Sequence, residues 1–362
     1  MTTAALTNRE RFRRLMRSED IDRLPVMALE PFEVAAVARW QAEGLPAGAD
    51  PVSFLGMAHL VNVPMRMEPV PPFPEEIVIE DAASYTQRDG MGTLVRRQRG
   101  NPTMFYGHID HPVKTRDDWR VYKQRFQPDP EARLGNNWPA SGERLRASTE
   151  PVWINLYPFF FRFGFYSMGM ACFLMAFYDE PEMLHDMFAT VGRMTFICLE
   201  RVLNTVVPDV VTINEDLAGK NNPLISPALY RQFWDPHQQA IVDLLRDRGV
   251  QVICMWSVGR LDPLLPTFLD RGFTCTWPLE VMAGMDGPTL RRHYGSRLAL
   301  GGNIAKEAVI SGPCAIDHEL ERLLPLIRAG GFLPALDDMA SPDMPFAHYR
   351  YLIERLQAIR LS

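Results

Sequence analysis

The sequence predicts an α/β fold, a single (β/α)8 TIM-type barrel with an N-terminal helix and an added β-hairpin. Three observations carry this. Short apolar runs alternate with helical segments from Pro151 onward, the pattern of parallel β/α units. The candidate strands reach eight. At 362 residues, the chain shows no internal repeat, low-complexity tract or linker, so residues 1–362 are expected to form one domain, of a size such barrels commonly reach.

The elements follow in order. Thr7-Asn8-Arg9-Glu10 has the spacing of a capping box and opens a helix. Its arginines, from Arg9 to Arg17, read as one solvated face. Asp22-Arg23-Leu24-Pro25 ends that segment before a first strand, Val26–Leu29, and a second lies near Leu60–Val63. Glu75–Gln98 alternates on both sides of Asp89-Gly90-Met91-Gly92, a β-hairpin signal. The polar, proline-bearing stretch 101–137 is expected to wrap over one mouth of the barrel. Six further strands are Val152–Leu156, Val210–Ile213, Val250–Met255, Thr274–Trp277, Leu298–Gly301 and Phe332–Leu336. Helices Glu182–Val207, Pro227–Arg248, Leu261–Arg271, Asp286–Tyr294 and Asp317–Arg328 fall among them.

Composition narrows the function classes. Hydrophobic residues make up 47% and charged residues 23%, and the net charge is -6. These are globular values, and the acidic balance argues against a nucleic-acid partner. No apolar run is long enough for a spanning helix; the run Met168–Phe177 reads as a core helix. The first residues lack a signal-peptide pattern. Five scattered cysteines, Cys172, Cys198, Cys254, Cys275 and Cys314, point to a reducing compartment rather than a disulfide framework. The expectation is a cytoplasmic protein without a membrane partner; the oligomeric state stays open.

A β/α barrel carries its active site at the C-terminal ends of the strands. The residues there are Glu30; Asn155 and Tyr157; Glu215 and Asp216; Trp256 and Ser257; Trp277 and Glu280; Asn303; and Asp337 and Asp338. Glu215, Asp216, Asp337 and Asp338 are the candidate catalytic groups, and the others are candidate substrate contacts. Each has a plainer reading. Glu215-Asp216 also suits a cap before Leu217, and Asp337-Asp338 suits a turn before Pro342. Trp256 and Trp277 suit pocket walls, Phe159-Phe160-Phe161 suits packing, and Cys254 suits a buried, inert thiol. His108 and His111 are spaced like a metal pair but have no third ligand nearby, and no metal site is expected.

Several motifs taken together resemble the uroporphyrinogen decarboxylase superfamily almost end to end. They are Thr7-Asn8-Arg9-Glu10-Arg11 with Asp22-Arg23-Leu24-Pro25-Val26, Asp117-Asp118-Trp119, Glu215-Asp216 with Ser226-Pro227, and Pro278-Leu279-Glu280. Gly301-Gly302-Asn303-Ile304 and Gly330-Gly331-Phe332 through Leu336-Asp337-Asp338 to Pro342-Asp343 complete the order. The resemblance implies either porphyrinogen decarboxylation or cobalamin-linked methyl transfer, and the chain departs from both. Where the decarboxylases carry an arginine-bearing element that holds carboxylates, this chain has Leu29-Glu30-Pro31-Phe32-Glu33. The histidine beside the final aspartate of that family is replaced by Asp338. Where the thiol-directed methyltransferases carry a His-x-Cys zinc element, it has Trp256 and Val258, and no cysteine follows Cys314. A His-Cys-Cys zinc site is therefore not expected, and carboxylates alone suit harder ions.

The reading that follows is a methyltransferase-like enzyme acting on a small methylated or cationic substrate, with a corrinoid protein as possible partner. The alternatives are a decarboxylase or lyase on a non-porphyrin acid and a non-catalytic ligand-binding barrel. Carboxylates and aromatic faces at the strand ends would favour cations, unless Arg162 or Lys220 pairs with those carboxylates.

Overall fold

A computed structural model describes residues 5–100 and 106–361. The N-terminal helix, Asn8–Met16, is capped as expected: Thr7 and Glu10 form the reciprocal capping box. Its arginines are only partly a solvated face: Arg13, Arg14 and Arg17 are exposed. Arg9 and Arg11 are buried. Arg9 pairs with the fully enclosed Asp209 at 2.9 Å, and Arg11 with Asp22 at 2.7 Å. Asp209 Oδ2 also accepts the Val152 N–H at 2.6 Å, so the helix is fastened to the sheet by a carboxylate that cannot be left unpaired.

The strands form two sheets. β1 (Val61–Asn62) leads the larger one. β2 (Glu76–Glu80), β3 (Ser84–Arg88), β4 (Leu94–Gln98) and β5 (Gly107–Asp110) form the smaller. β6 (Val152–Leu156), β7 (Val210–Asn214), β8 (Val252–Trp256), β9 (Cys275–Leu279), β10 (Ala299–Ile304) and β11 (Phe332–Leu336) continue the larger. The order β1-β6-β7-β8-β9-β10-β11 is parallel throughout, and β7 to β11 are buried along their whole lengths. Strands covered on both faces carry continuous apolar runs rather than alternation, as these do.

Two expectations about the sheet need correction. Val26–Leu29 contributes only an isolated parallel bridge, Met27 to Ala58, and the strand near Leu60–Val63 is two residues long. The described strands of the larger sheet are thus seven plus this bridge. Beside it is a cleft lined by Leu29, Glu30, Leu336 and Asp338 and by Tyr349 and Leu352 of the last helix, Phe346–Ala358. The chain on that side packs against side chains instead of completing a ladder. The sheet nevertheless curls. Glu33 N donates to Ala340 O, and Trp40 Nε1 donates to Met344 O at 2.8 Å, bringing the chain after Leu29 against the chain after β11.

The expected hairpin at 75–98 is larger than a hairpin. Asp81 accepts from Ala83 N and Ser84 N, making an additional turn, and β5 joins from the stretch expected only to wrap. The result is a separate antiparallel sheet, β2-β3-β4-β5. Residues 101–105 of the wrapping stretch lie outside the described residues. The remainder contains helices Arg116–Tyr122 and Pro130–Leu134 and ends at Asn137, just before the helix Trp138–Arg146. The helix expected at Pro227–Arg248 is two, Pro227–Phe233 and Asp235–Asp247, divided beside Trp234. No single helix among the described residues is long and apolar enough to cross a membrane.

Candidate functional site

The ends of β7 and β8 set the site. Glu215 and Asp216 follow the end of β7 and, though adjacent, have different surroundings. Glu215 is fully buried. Its Oε1 accepts from Trp234 Nε1 at 2.8 Å and its Oε2 from Phe161 N at 2.6 Å. Burial pushes its carboxyl up to about 8, against the pull of those two donors. Both oxygens are engaged by protein, so Glu215 braces the β6 helix–loop rather than facing a ligand.

Asp216 meets Arg162, whose Nη2 lies 3.3 Å from Oδ2. Burial raises the Asp216 carboxyl, Arg162 works the other way, and the Asp338 and Glu280 carboxylates add to the rise. Arg162 follows β6 in the helix Phe160–Met168. Its guanidinium lies over the rings of Trp256, at 4.8 Å, and Tyr157, at 5.1 Å, and its Nε donates to Glu215 O. The Tyr157 hydroxyl is 2.6 Å from that of Tyr166, and burial raises the Tyr157 phenol. The aromatic faces expected to receive a substrate cation are therefore occupied by the protein's own cation.

Across the barrel, Trp256 Nε1 donates to Glu30 Oε1. Burial, reinforced by the nearby Asp338 carboxylate, pushes Glu30 up to about 8 even though the indole N–H and Arg162 favour its charged form. The Glu30 environment thus favours its protonated form. Asp338 is in turn paired with Lys306 Nζ. Burial disfavours the Lys306 charge, but Asp338 outweighs it and raises the amine.

The other expected residues divide by role. Asn155, on β6, accepts from Thr212 Oγ1 at 3.0 Å and Asn214 Nδ2 at 3.2 Å. Trp277 is fully buried beside Trp256 in register. Glu280 accepts the Gly259 N–H at 2.8 Å. Gly259 has φ +83°, and a Cβ there would come within 2.6 Å of Ala218 O, so this approach excludes a side chain. Ser257, Asn303 and Asp337 are scaffold. Ser257 Oγ accepts from Leu217 N. Asn303 ties Leu279 O, Met285 O and Gly287 N together. Asp337 brackets Val281 N and Lys306 N, and burial raises it to about 7.

The structure thus brings Glu30, Tyr157, Asp216 and Trp256 around Arg162, with Asp338 and Glu280 close enough to act electrostatically. Lys220 is exposed and takes no part. Lys306, Asn214 and Tyr166 join the site without having been expected. A lone cation within the aromatic run Phe159–Phe165 was the available signal for Arg162. Trp256 and Val258 provide no metal donor atoms. Among the described residues, no group of three or more His, Cys, Asp or Glu side chains is arranged to hold a metal ion.

Comparison with known proteins gives concordant results. Residues 162–359 match the family model described as uroporphyrinogen decarboxylase (URO-D). The uroporphyrinogen decarboxylase of Sodalis glossinidius (strain morsitans) is 23% identical over 375 aligned positions, covering 98% of both chains. A methyltransferase from Methanosarcina mazei superposes with a TM-score of 0.61 at 16% identity, covering 97% of this chain and 98% of the other. That likeness, with the curled parallel sheet, fits a TIM-type barrel.

Proposed function

The chain belongs to the uroporphyrinogen decarboxylase (URO-D) family, and from this we propose that it is a methyl-transfer enzyme for a small methylated molecule, not a porphyrinogen decarboxylase. One observation carries the reading. Glu30, whose carboxyl burial pushes up to about 8 and which Trp256 clamps, stands where cations would be needed to hold a polycarboxylate. The likeness to a methyltransferase over nearly the whole chain supports the same direction.

In this reading Glu30 is a general acid. The methyl acceptor attacks the methyl carbon, and the carbon–heteroatom bond breaks with its electron pair on the leaving nitrogen, oxygen or sulfur. The Glu30 proton neutralises that atom. A donor whose pKa lies near the working pH is suited to this role. The Trp256 N–H fixes the carboxyl through one oxygen and leaves the other for the proton. Arg162 and Asp216 keep the mouth close to charge balance, favouring a neutral substrate over the cation that the strand-end carboxylates alone would select. Trp256, Trp277 and Tyr157 supply the walls. We infer a corrinoid carried by a partner protein as acceptor and a cytoplasmic setting.

A decarboxylase acting on a non-porphyrin monoacid is the second reading. Arg162 favours it, because one cation suffices for one carboxylate and Glu30 could protonate a carbanion. A barrel that binds without turnover is the third. The deciding experiment supplies 13C-methylated amines, ethers and thioethers with a reduced corrinoid as acceptor, beside size-matched carboxylic acids. Label moving to the acceptor supports methyl transfer, carbon dioxide release supports the second reading, and saturable binding without product supports the third.

A further inference from the structure

Asn214 ends β7, is 7% exposed, and pairs in register with Trp256. Since Trp256 reaches Glu30 across the barrel, Asn214 faces the barrel interior as well. Its amide orientation follows from its neighbours. Trp153 Nε1 donates to Thr212 Oγ1 at 2.9 Å, and that hydroxyl donates to Asn155 Oδ1 at 3.0 Å. Asn155 Oδ1 also receives Asn214 Nδ2 at 3.2 Å. This relay leaves Asn214 Oδ1 facing away from Asn155, buried and without a protein partner. Two residues on, Asp216 uses Oδ2 for Arg162, while its Oδ1 is likewise buried and unpaired. Asn214 lies beside Trp256 in register, and Asp216, just past the end of β7, pairs with the Arg162 guanidinium that covers the Trp256 ring. The two orphan acceptors are thus both placed near the Trp256 ring.

Buried polar atoms are nearly always satisfied, and an exception calls for a missing partner. An amide oxygen and a carboxylate oxygen accept only N–H or O–H donors. We propose that Asn214 and Asp216 form a donor-reading subsite, so that the substrate carries a hydroxyl or N–H next to its methylated atom. This rests on the methyl-transfer reading for the methyl group, but not for the donor. Sites built to hydrogen-bond a ligand group discriminate strongly against analogues lacking it, because the buried partners are then left unpaired.

The test is ligand-observed NMR with matched quartets, in which methyl group and donor vary independently. One quartet is methoxyethanol, dimethoxyethane, ethylene glycol and dichloroethane. The other is ortho-methoxyphenol, ortho-dimethoxybenzene, catechol and ortho-dichlorobenzene. The wild-type protein is expected to prefer donor-bearing members by about tenfold. Asn214→Leu should abolish the preference. Asn214→Asp should keep it, since its protonated form replaces Nδ2 toward Asn155 and retains an outward carbonyl. Thermal unfolding checks that both variants fold, and the wild-type and Asn214→Asp quartets decide the matter if Asn214→Leu does not. Methylated members that bind equally with and without a donor overturn the subsite and leave methyl transfer standing. Donor-bearing members that bind equally with and without a methyl group keep the subsite and count against methyl transfer. Binding by none of the eight overturns both.

Discussion

Trp256 and Glu30 are 226 residues apart in sequence and share a hydrogen bond, the indole N–H donating to the carboxyl. In a flat sheet the Met27 segment and β8 would be four strand spacings apart, about 19 Å. The bond exists because the sheet curls, and it places an acid and an indole together in the barrel mouth. Gly301 keeps that interior open to large side chains: a Cβ there would lie 3.0 Å from Leu29 Cδ1 and 3.1 Å from Trp277.

Stability should fall as pH rises from about 5 to 8. Glu30 and Glu215 have ordinary values of 4.5 and sit near 8 in the fold, and Asp337 moves from 3.8 to about 7. Over that window the native state holds protons that the unfolded chain has released, so raising the pH favours unfolding. Glu30→Gln should flatten the dependence. Chemical denaturation at pH 5, 6.5 and 8 measures it, and a wild type that is more stable at pH 8 than at pH 5 contradicts the assignment.

Glu215 and Asp337 are braces, so their loss should appear in folding first. Glu215→Ala strands the N–H groups of Trp234 and Phe161, and Asp337→Ala strands those of Val281 and Lys306. Each change should destabilise the protein by roughly 2–6 kcal/mol, taking about 1–3 kcal/mol for each of the two stranded donors. Urea titration reads this directly; a loss of activity with unchanged stability would return either residue to the catalytic set.

Much of the frame was legible because parallel buried strands and their helices have distinct patterns, as Val210–Ile213 and Phe332–Leu336 illustrate. The Met27 segment misled because apolar character does not reveal whether a neighbour completes the ladder. Arg9 and Arg11 misled because their acids, Asp209 and Asp22, are found by tertiary contact. The site was legible as a set of strand ends, but not by role. Glu215 and Asp216 are adjacent and chemically alike, and only the facing of each residue separates a brace from a mouth residue. Arg162 was legible as a partner for the strand-end carboxylates, which its pairing with Asp216 bears out, but not as the cation over Trp256 and Tyr157, because it lies in an aromatic helix rather than at a strand end.

Arg162→Met should change the charge preference of the site. It removes the cation lying over Trp256 and Tyr157 and frees Asp216. Tetramethylammonium binding should strengthen several-fold relative to tert-butanol, as an exposed aromatic face and an unpaired carboxylate attract cations. Competition binding with both probes checks this. An unchanged ratio would mean that Arg162 does not occupy the substrate's place.

Uroporphyrinogen should not be turned over. Arg162 and Lys306 are each already paired with a carboxylate, leaving no free cation cluster among these groups for a polycarboxylate. An anaerobic assay for coproporphyrinogen formation decides it, and enzymatic rates there would refute the account of the mouth.

The proton on Glu30 is central to the proposed methyl transfer. Single-turnover transfer of a 13C-methyl group should be measured from pH 6 to 9.5 in wild type and Glu30→Gln. The predicted result is a wild-type rate that falls as pH rises through about 8, and a folded Glu30→Gln protein slower by about 10²–10⁴-fold with no such fall. A wild-type rate that is flat or rising across pH 8, or a Glu30→Gln protein as fast as wild type, would contradict it.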